Sequence, residues 1–458
     1  MMSDQRSLDG IERIHIVGAG GAGMSGLGKL LASLGYNVSG SDLKPSPRLE
    51  ALSDLGVATW VGHRPDAMEG VELIVTSSAV PAHDAEVVAA EAAGALWWER
   101  PELLDALTRR MPAIGFTGTH GKTTSTALAV TALRGLGLDP SFLVGGQMVA
   151  FNTGAHLGRD ESFILEADEA FGTFRKLHLD ALLVTNIEAD HLDYYETVSA
   201  LEEAFALVAS RVDGPVVACI DDSGVRRLAA RVDVTTYGTD ADAQWRISDI
   251  ASAHGTVSFR LKGPEYSGAV AVPKPGEHIA RNAAGVIALL SSLGYDAAQV
   301  VAGLSQFAGV RRRFEVRSRV GDVTVVDDYA HHPTEIAATI AAGRQGGWRR
   351  VWAVFQPHRY TRTAEHGPAF GEPLAVADRV IVTDVYSAGE PPLPGVSGRL
   401  VAESVQAAGG DVEFAPDLSS AFGLLASGVE PGDLVLLLGA GDVNSLAEPL
   451  ALALEERK

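Results

Sequence analysis

The chain is organised around the stretch Gly115-Phe116-Thr117-Gly118-Thr119-His120-Gly121-Lys122-Thr123-Thr124, which lies between an apolar run from Met111 to Phe116 and an alanine-rich run from Ser125 to Leu133. This order predicts a strand, a glycine-rich loop and a helix. Such a loop aims backbone N–H groups at one point near the positive end of the helix dipole, which suits a polyphosphate. Lys122 is then expected to bridge the terminal phosphates, and the Thr123 hydroxyl to hold magnesium.

The spacing of this loop differs from the generic phosphate-binding pattern. That pattern has a glycine five places before Gly121, where this chain has Phe116, and its glycines stand at 115, 118 and 121. A glycine turn before a core helix would account for the glycines, but not for Gly-Lys-Thr-Thr directly after a strand. The sequence therefore favours nucleotide binding over a purely structural turn.

Length and composition set broad limits on the architecture. A chain of 458 residues exceeds one ordinary hydrophobic core, which predicts two to four domains. The single cysteine, Cys219, excludes an internal disulfide framework and a cysteine-rich metal site, and it fits a reducing compartment. No apolar run approaches the roughly 20 residues that span a bilayer. These features predict a soluble, cytoplasmic protein without membrane insertion.

The net charge of −21 argues against nucleic acid as a principal partner, because phosphate backbones are bound by basic surfaces. Anionic small molecules remain possible ligands if arginine and lysine are concentrated in a cleft. The run Arg311 to Arg313 is such a cluster, and near Asp328 and Arg359 we expect it to meet phosphate or carboxylate.

A second glycine motif lies near the start of the chain. An apolar strand from Ile11 to Val17 leads to glycines at 18, 20 and 23, and a helical run follows from Leu27 to Leu34. A strand at Tyr36 to Ser39 then ends near Asp42. This pattern is typical of dinucleotide-binding folds, in which the loop approaches a pyrophosphate and the acidic residue takes a ribose hydroxyl. NAD and any nucleoside diphosphate offer the same pyrophosphate, so both remain open.

Polar residues collect where further predicted strands end. Ser77 and Ser78 follow a strand at Leu73 to Thr76, Glu166 and Asp168 end the strand that starts at Phe163, and His191 follows the strand from Ala181. Carboxyl ends of parallel strands meet at one edge of a sheet, where carboxylate oxygens suit magnesium. Later strands are predicted at 322–326, 351–355, 380–383 and 434–438, which completes three successive α/β units.

Taken together, these motifs resemble the Mur ligase family over nearly the whole chain. The segments that carry the resemblance are Gly-Ala-Gly-Gly-Ala-Gly-Met-Ser-Gly from Gly18, Gly-Thr-His-Gly-Lys-Thr-Thr from Gly118, Glu-Ala-Asp-Glu from Glu166, Asn-Ile-Glu-Ala-Asp-His from Asn186, Arg-Arg-Phe at 312–314, Asp-Asp-Tyr-Ala-His-His-Pro-Thr-Glu from Asp327 and Gln-Pro-His-Arg-Tyr-Thr-Arg from Gln356. The family loop reads Gly-Thr-Asn/His-Gly-Lys-Thr, so the unusual spacing is its normal form.

The resemblance implies an α/β protein of three domains. A Rossmann-like domain at residues 1–110 would bind a UDP-sugar, a P-loop-like ATPase domain with a mostly parallel sheet would occupy 111–311, and a Rossmann-like domain at 312–458 would bind the amino acid. The first glycine motif would then bind UDP and not NAD.

The implied activity is that of an ATP-dependent ligase in peptidoglycan synthesis, and thus in cell-wall formation, cell shape and cell division. It would join L-alanine to the lactyl carboxylate of UDP-N-acetylmuramate, with ATP and Mg²⁺ as cofactors, as a monomer or weak homodimer. A carboxylate is a poor electrophile, so ATP would first convert it to an acyl phosphate that the amine attacks. Both steps gather negative charge, so positioning and electrostatic stabilisation should carry most of the rate.

The resemblance also assigns roles to residues. Catalysis would involve Lys122, His191, Arg359 and His331. ATP would be bound by Gly118, Thr119, Gly121, Lys122, Thr123, Thr124, His278, Asn282, Arg313 and Asp328. The UDP-sugar and alanine would be bound by Gly20, Gly21, Ala22, Gly23, Asp42, Ser78, Tyr329, His358 and Arg362. Metal ligands would be Thr123, Glu166 and His191.

Three positions depart from the family pattern. After Asp168-Glu169, the alanine-adding branch usually continues with Ser-Asp, whereas this chain has Ala170-Phe171. Ile279 follows His278 where the family often has asparagine. Several relatives use a carbamylated lysine in the central domain, but this chain has no lysine between Lys176 and Lys262. Glu202 or Glu203 is a candidate to supply that carboxylate directly.

Two alternative functions stay open from the sequence. A peptide-recycling ligase of the same family would join a tripeptide to the same sugar nucleotide, although the segment from Gln356 favours alanine. A UDP-sugar-binding protein without ligase activity is the second alternative, against which the intact Lys122, Thr123, Glu166 and His191 argue.

Overall fold

The computed structural model of the chain describes residues 6–253 and 255–457. Three sheets with mostly parallel strands organise these residues, and helices connect the parallel strands. Parallel strands that are covered on both faces are apolar along their whole length, which is why the sequence runs predicted them. The predicted α/β fold of three domains is confirmed.

The first sheet follows the first glycine motif. Its strands are β1 (Arg13–Val17), β2 (Asn37–Asp42), β3 (Ala58–Val61), β4 (Leu73–Thr76) and β5 (Leu96–Glu99), and the helices are α1 (Ala22–Ser33), α2 (Pro47–Ser53), α3 (Ala85–Ala92) and α4 (Arg100–Thr108). The strand order is β3-β2-β1-β4-β5, and every neighbouring pair is parallel. The chain reverses direction across the sheet between β1 and β4, which is where open α/β sheets bind ligands.

Helix α1 begins at Ala22, five residues earlier than the predicted start at Leu27. The sequence interpretation was wrong here because it assigned all of the glycines to the loop. Gly23 and Gly26 are helical, and an added Cβ would lie 2.9 Å from Arg100 Cζ at Gly23 and 2.7 Å from a Leu143 methyl group at Gly26. These two glycines therefore permit close packing of the helix.

The second sheet contains the Gly115–Thr124 stretch. Its strands are β6 (Ala113–Thr117), β7 (Ser141–Met148), β8 (Thr153–His156), β9 (Phe163–Glu166), β10 (Ala181–Val184), β11 (Val216–Cys219), β12 (Thr235–Gly238), β13 (Trp245–Ala253), β14 (Thr256–Lys262) and β15 (Ser267–Val272), with helices α5 (Lys122–Gly135), α6 (Leu192–Tyr195), α7 (Val198–Ala209), α8 (Ser223–Ala229), α9 (Glu277–Ser292) and α10 (Ala297–Leu304). The strand order is β15-β14-β13-β12-β11-β10-β6-β9-β7-β8. Strand β6 lies between β9 and β10, so the ends of these three strands are adjacent.

The third sheet has six strands. They are β16 (Glu315–Val320), β17 (Val323–Asp328), β18 (Arg350–Phe355), β19 (Arg379–Thr383), β20 (Val412–Ala415) and β21 (Asp433–Leu438), with helices α11 (Pro333–Arg344), α12 (Tyr360–His366), α13 (Gly371–Ala375), α14 (Gly398–Ala407), α15 (Leu418–Gly428) and α16 (Ala447–Glu456). The order is β16-β17-β21-β18-β19-β20, and only β16 pairs antiparallel. Alternate residues of β18 belong to two separate apolar clusters, so the sheet is buried on both faces.

Contacts divide the chain into two compact units. The first comprises the residues up to Ile247, with Leu261–Gly268 and Asn282–Gln306, and the second comprises Ser248–Arg260, Ala269–Arg281 and the residues from Phe307 onwards. The division into domains at residues 110 and 311 remains a prediction. None of the helices in the described ranges is long and apolar enough to cross a membrane.

Candidate functional site

The glycine-rich loop between β6 and α5 is held in place by the end of β10. The backbone N–H of Thr119 donates to Asn186 O at 3.1 Å, and the N–H of His120 donates to Asn186 Oδ1 at 2.8 Å. Gly118 has φ 129°, and an added Cβ there would lie 2.9 Å from Asn186 O. A side chain at 118 would therefore push the loop off the strand end that supports it.

Gly121 precedes α5 in a left-handed conformation with φ 86°. An added Cβ would meet Oδ1 of the buried Asn282, on α9, at 2.9 Å. The structure thus brings Asn282 against the loop, and its contact with adenine remains a prediction. Thr123 and Thr124 follow in the first turn of α5 and are also buried.

Lys122, the first residue of α5, forms the central ion pair of the first unit. Its Nζ lies 2.8 and 2.7 Å from the two carboxylate oxygens of Glu169 and 3.6 Å from Asp168 Oδ1, and it donates to Gly118 O at 2.8 Å. Burial disfavours the ammonium, but the carboxylates of Glu169 and Asp168 outweigh it and raise the pKa of Lys122. Lys122 is therefore a charged group held at the start of a helix.

Glu169 was not among the predicted site residues. Its side chain is only 1% exposed, its carboxylate holds Lys122, and its backbone carbonyl accepts a hydrogen bond from the Tyr195 hydroxyl at 2.6 Å. The sequence did contain a signal for Glu169, because this residue ends the Glu-Ala-Asp-Glu segment that begins at the last residue of β9. The sequence interpretation chose Glu166 and Asp168 from that segment instead.

The predicted metal ligands Thr123 and Glu166 lie together. The Thr123 side chain hydrogen-bonds to Glu166, whose carboxylate also accepts the N–H of Gly145. Burial raises the pKa of Glu166. A hydroxyl and a carboxylate beside a phosphate loop are the hard oxygen donors that Mg²⁺ prefers, so these residues fit the ion.

His191 approaches the same group of residues from the end of β10. Its Nε2 lies 3.9 Å from Glu169 Oε1 and 3.8 Å from Asp190 Oδ2, and its backbone is left-handed with φ 56°. Lys122 and His191 therefore both face Glu169. The Thr119 side chain instead contacts the backbone of Glu188: its hydroxyl donates to Glu188 O and accepts from Glu188 N–H.

The candidate carboxylates on α7 have other partners. Glu202 accepts hydrogen bonds from Arg227 at 2.9 and 2.6 Å, and Glu203 lies 3.0 Å from Arg231. Their negative charges are therefore already balanced by arginines.

The first glycine motif forms a loop between β1 and α1. The N–H groups of Gly18 and Ala19 both donate to Ser41 O, and the N–H of Gly20 donates to Asp42 Oδ2 at 3.0 Å. Asp42 therefore fixes the conformation of the loop and lies next to any ligand that the loop contacts. Ser78 is exposed in the turn after β4.

The start of α1 is suited to an anion. Gly21 is its extended N-cap, no side chain caps the helix, and no acidic residue lies in the first turn with Ala22 and Gly23. Arg100, which the sequence did not single out, packs its guanidinium against Gly23, and among the described residues its buried Nε has no hydrogen-bond partner.

In the second unit, Asp328 ends β17 and is buried. It accepts hydrogen bonds from the N–H groups of Phe314 at 2.7 Å and Ala330 at 2.9 Å. Burial raises the pKa of Asp328 to about 6, against the opposing charge of Arg313. The guanidinium of Arg313 lies over the Tyr329 ring at 5.3 Å and 3.6 Å from Glu335.

Two predicted histidines of this unit are held in their neutral form. Burial lowers the pKa of His331 and of His358 to about 4, and the positive charge of Arg362 acts in the same direction on both. The two rings lie 6.3 Å apart, and His331 Nδ1 is 2.9 Å from Tyr329 O. With pKa values this low, the two imidazoles are uncharged and only weakly basic at neutral pH, so their role is to donate or accept hydrogen bonds.

Arg359 stands at the N-cap of α12 with φ 70°, a conformation unusual for a non-glycine residue. Its backbone N–H donates to Tyr386 O at 2.8 Å, and its carbonyl accepts from the Thr363 hydroxyl at 2.7 Å. Hydrogen bonds to both the N–H and the carbonyl of Arg359 thus hold its strained backbone in place.

His278, also in the second unit, is buried, and burial with the charges of Arg281 and Arg313 lowers its pKa to about 4. The structure therefore groups the predicted residues into one set around Lys122, one around the first glycine motif and one around Asp328.

Comparison with known proteins shows which protein family has this succession of domains. Three family profiles match in order: "Mur ligase family, catalytic domain" at residues 13–111, "Mur ligase middle domain" at 116–290 and "Mur ligase, glutamate ligase domain" at 312–441. A UDP-N-acetylmuramate--L-alanine ligase of Cutibacterium acnes is 41% identical over 454 residues, which cover 97% of this chain and 96% of the relative. The chain belongs to the Mur ligase family.

Further relatives agree with this membership. A UDP-N-acetylmuramate--L-alanine ligase of Kineococcus radiotolerans is 41% identical over 471 residues, covering 98% of each chain. The crystal structure of the UDP-N-acetylmuramate-alanine ligase of Thermotoga maritima superposes with a TM-score of 0.83 at 28% identity, covering 97% of this chain and 100% of that one. A murein peptide ligase of Psychrobacter arcticus shares the fold, with a TM-score of 0.69 at 23% identity over 97% of this chain and 99% of that one.

Proposed function

We propose that this Mur ligase joins L-alanine to the lactyl carboxylate of UDP-N-acetylmuramate at the expense of ATP, in peptidoglycan synthesis. The substrate assignment rests on one observation: the chain is 41% identical, over 97% of its length, to a protein named UDP-N-acetylmuramate--L-alanine ligase. The reaction is an amide formation that passes through an acyl phosphate, and ADP and phosphate leave.

The loop around Lys122 binds the ATP phosphates. Backbone N–H groups at the start of α5 and the Lys122 ammonium supply positive charge where negative charge accumulates during phosphoryl transfer. The Glu169 carboxylate accepts hydrogen bonds from the Lys122 ammonium, so phosphate oxygens of ATP would compete with this carboxylate for the lysine. Thr123 and Glu166 would hold Mg²⁺, with His191 nearby, and the ion would neutralise phosphate charge.

The UDP-sugar binds at the first glycine motif. The uncapped start of α1 and the Arg100 guanidinium favour its diphosphate, while Asp42 keeps the loop open through Gly20. The buried Nε of Arg100 gains a phosphate oxygen as an acceptor in this arrangement, which removes the cost of an unpaired polar atom.

The second unit supplies the groups for alanine. Arg359 and Arg362 are candidates to pair with its carboxylate, and the neutral imidazole of His331 or His358 can accept a hydrogen bond from its amine, which orients the nucleophile. The predicted contacts of His278, Arg313 and Asp328 with ATP, and of Tyr329 with substrate, are part of the same proposal. The cytoplasm, and a monomer or weak homodimer, remain the proposed setting.

One experiment separates this function from its alternatives. Phosphate release from ATP is measured with UDP-N-acetylmuramate and, in turn, L-alanine, glycine, L-serine and the cell-wall tripeptide. Release that depends on L-alanine is expected. Release with the tripeptide alone would identify a peptide-recycling ligase, and binding of the UDP-sugar without release for any acceptor would identify a binding protein.

A further inference from the structure

An exposed aromatic pair, Phe171 and Tyr194, lies beside the Lys122–Glu169 ion pair. Phe171 is 58% exposed and Tyr194 is 44% exposed, and their rings meet edge to face with centroids 6.1 Å apart. Phe171 is one of the positions at which this chain departs from the family sequence. An aromatic ring exposed to water lacks the burial that normally stabilises it, and a ligand that covers the ring would supply that burial.

The backbone holds Phe171 in an unfavourable conformation. Its φ is 53° and ψ is 23°, a region that bulky residues rarely occupy. The turn is fixed because Gly172 N donates to Glu169 O at 2.9 Å and Phe174 N donates to Asp168 O at 2.9 Å. Strain of this kind persists where the surrounding structure enforces it, and it collects at functional sites.

The surrounding structure also holds Tyr194 in place. It lies in α6, whose flanking residues His191 and Glu196 both have positive φ, and its ring packs edge to face on Tyr195 with centroids 4.9 Å apart. The hydroxyl lies over Gly172, where an added Cβ would be 2.7 Å away. The aromatic pair is therefore a preorganised surface, and not two loose side chains.

The buried Tyr195 links this surface to the reaction centre. Its ring packs against Tyr194, and its hydroxyl donates to the carbonyl of Glu169, which holds Lys122. Phe171 follows Glu169 by two residues, and Tyr194 follows His191 by three. Both rings are therefore within reach of the atoms next to a reacting carboxylate that lies near Lys122 and His191.

We propose that Phe171 and Tyr194 form the platform on which the sugar ring of the nucleotide-sugar substrate packs. This inference rests on the proposed function. The C–H groups on one face of a pyranose make that face apolar, so it packs well against aromatic rings, whereas uridine and the diphosphate offer no such match next to the lactyl carboxylate.

The test compares two ligands, UDP and UDP-N-acetylmuramate, by calorimetry. Phe171→Ala removes the ring, and Phe171→Asn also removes it but tolerates the left-handed backbone. Both variants should bind UDP-N-acetylmuramate about tenfold more weakly and UDP within about twofold of the wild type. Phe171→Tyr, which keeps a ring, should restore the affinity for the sugar nucleotide.

Leu207→Ala is the matched control, because Leu207 is also an exposed apolar residue, on α7, with 39% of its surface accessible. This variant should bind both ligands with the affinity of the wild type. Equal weakening for UDP and UDP-N-acetylmuramate, or no change for either, would overturn the platform. A wild-type protein that binds no UDP-N-acetylmuramate would instead overturn the proposed function, so the two failures are distinguishable. Steady-state kinetics should agree: KM for the sugar nucleotide rises, while KM for ATP does not.

Discussion

Lys122 Nζ lies within 2.8 Å of both carboxylate oxygens of Glu169, so the lysine that we propose for ATP binding has a carboxylate as its partner. The Glu169 side chain is almost fully buried, and Lys122 is 15% exposed. Removing one member of such a pair leaves a buried charge without compensation, which is costly. The pair therefore keeps both charges compensated and fixes the position of the lysine.

Glu169→Gln should destabilise the nucleotide-free protein and be rescued by nucleotide. The substitution leaves the Lys122 ammonium with the Gly118 carbonyl and with the more distant carboxylate of Asp168, and we expect a loss of about 3 kcal/mol in the free energy of unfolding. Phosphate oxygens of Mg²⁺-ADP can replace the missing carboxylate, so the ligand should raise the thermal midpoint more in the variant than in the wild type. Asp168→Asn is the control and should show a smaller loss, since Asp168 lies 3.6 Å from Nζ. Equal ligand-induced shifts in the variant and the wild type would contradict the replacement.

Lys122→Ala should separate the two nucleotide sites. Phosphate release should fall by about a thousandfold or more, because the charge that stabilises the transferred phosphoryl group is lost. Affinity for UDP-N-acetylmuramate, measured by calorimetry, should stay within about twofold of the wild type, since its proposed diphosphate contacts lie at α1 and Arg100. Lys122→Arg keeps the charge but changes its geometry, and intermediate activity is expected. Loss of sugar-nucleotide binding in the alanine variant would contradict this separation of tasks.

Gly121→Ala should damage nucleotide binding beyond the cost of its backbone conformation. Gly121 and Gly137 have nearly the same φ, 86° and 83°, but an added Cβ meets Asn282 at 2.9 Å only at Gly121 and has nothing within 4 Å at Gly137. Both alanine variants should lose about 1–2 kcal/mol of stability from the left-handed conformation. Only Gly121→Ala should also displace Asn282 and weaken ADP binding in calorimetry. Equal ADP affinity in the two variants would show that the contact with Asn282 is unimportant.

The sequence predicted the positions of the strand ends well, because a strand buried on both faces is apolar along its length and polar residues mark where it stops. Strand β4 has the predicted bounds Leu73–Thr76, and Lys122, Thr123 and Glu166 come together as expected. The sequence could not predict that glycines at 23 and 26 are helical. Their role depends on the closeness of Arg100 and Leu143, which are distant in the chain.

The choice among the three acidic residues at the end of β9 and just after it was also beyond the sequence. Glu166, Asp168 and Glu169 are all plausible partners for a cation, and no spacing rule distinguishes them. The turn that follows, with Phe171 and Gly172 both left-handed, directs Glu169 inward to Lys122. Local backbone hydrogen bonds from Gly172 and Phe174, together with the bond from the Tyr195 hydroxyl to Glu169 O, hold this turn against the low propensity of phenylalanine for the conformation.

Asp328 should make stability depend on pH between about 4 and 6. Burial raises its pKa from the usual 3.8 to about 6, so the folded protein holds a proton that the unfolded chain has already lost. The stabilising effect is full below pH 4 and disappears as the pH rises through 6, which amounts to about 3 kcal/mol. Asp328→Asn imitates the protonated acid and should lack this loss, so its urea midpoint should exceed that of the wild type increasingly as the pH rises.

Asp433→Asn provides a control of opposite sign in the same sheet. Although burial opposes ionisation of Asp433, hydrogen bonds from Arg350 and Trp352 lower its pKa, and so the ionised form stabilises the fold. That stabilisation is present above the unfolded pKa and is lost as the pH falls below about 4. Asp433→Asn should therefore be less stable than the wild type at pH 7, and the difference should shrink on acidification. If Asp328→Asn instead followed the same trend as Asp433→Asn, the Asp328 carboxyl would be ionised in the folded protein and its raised pKa would be wrong.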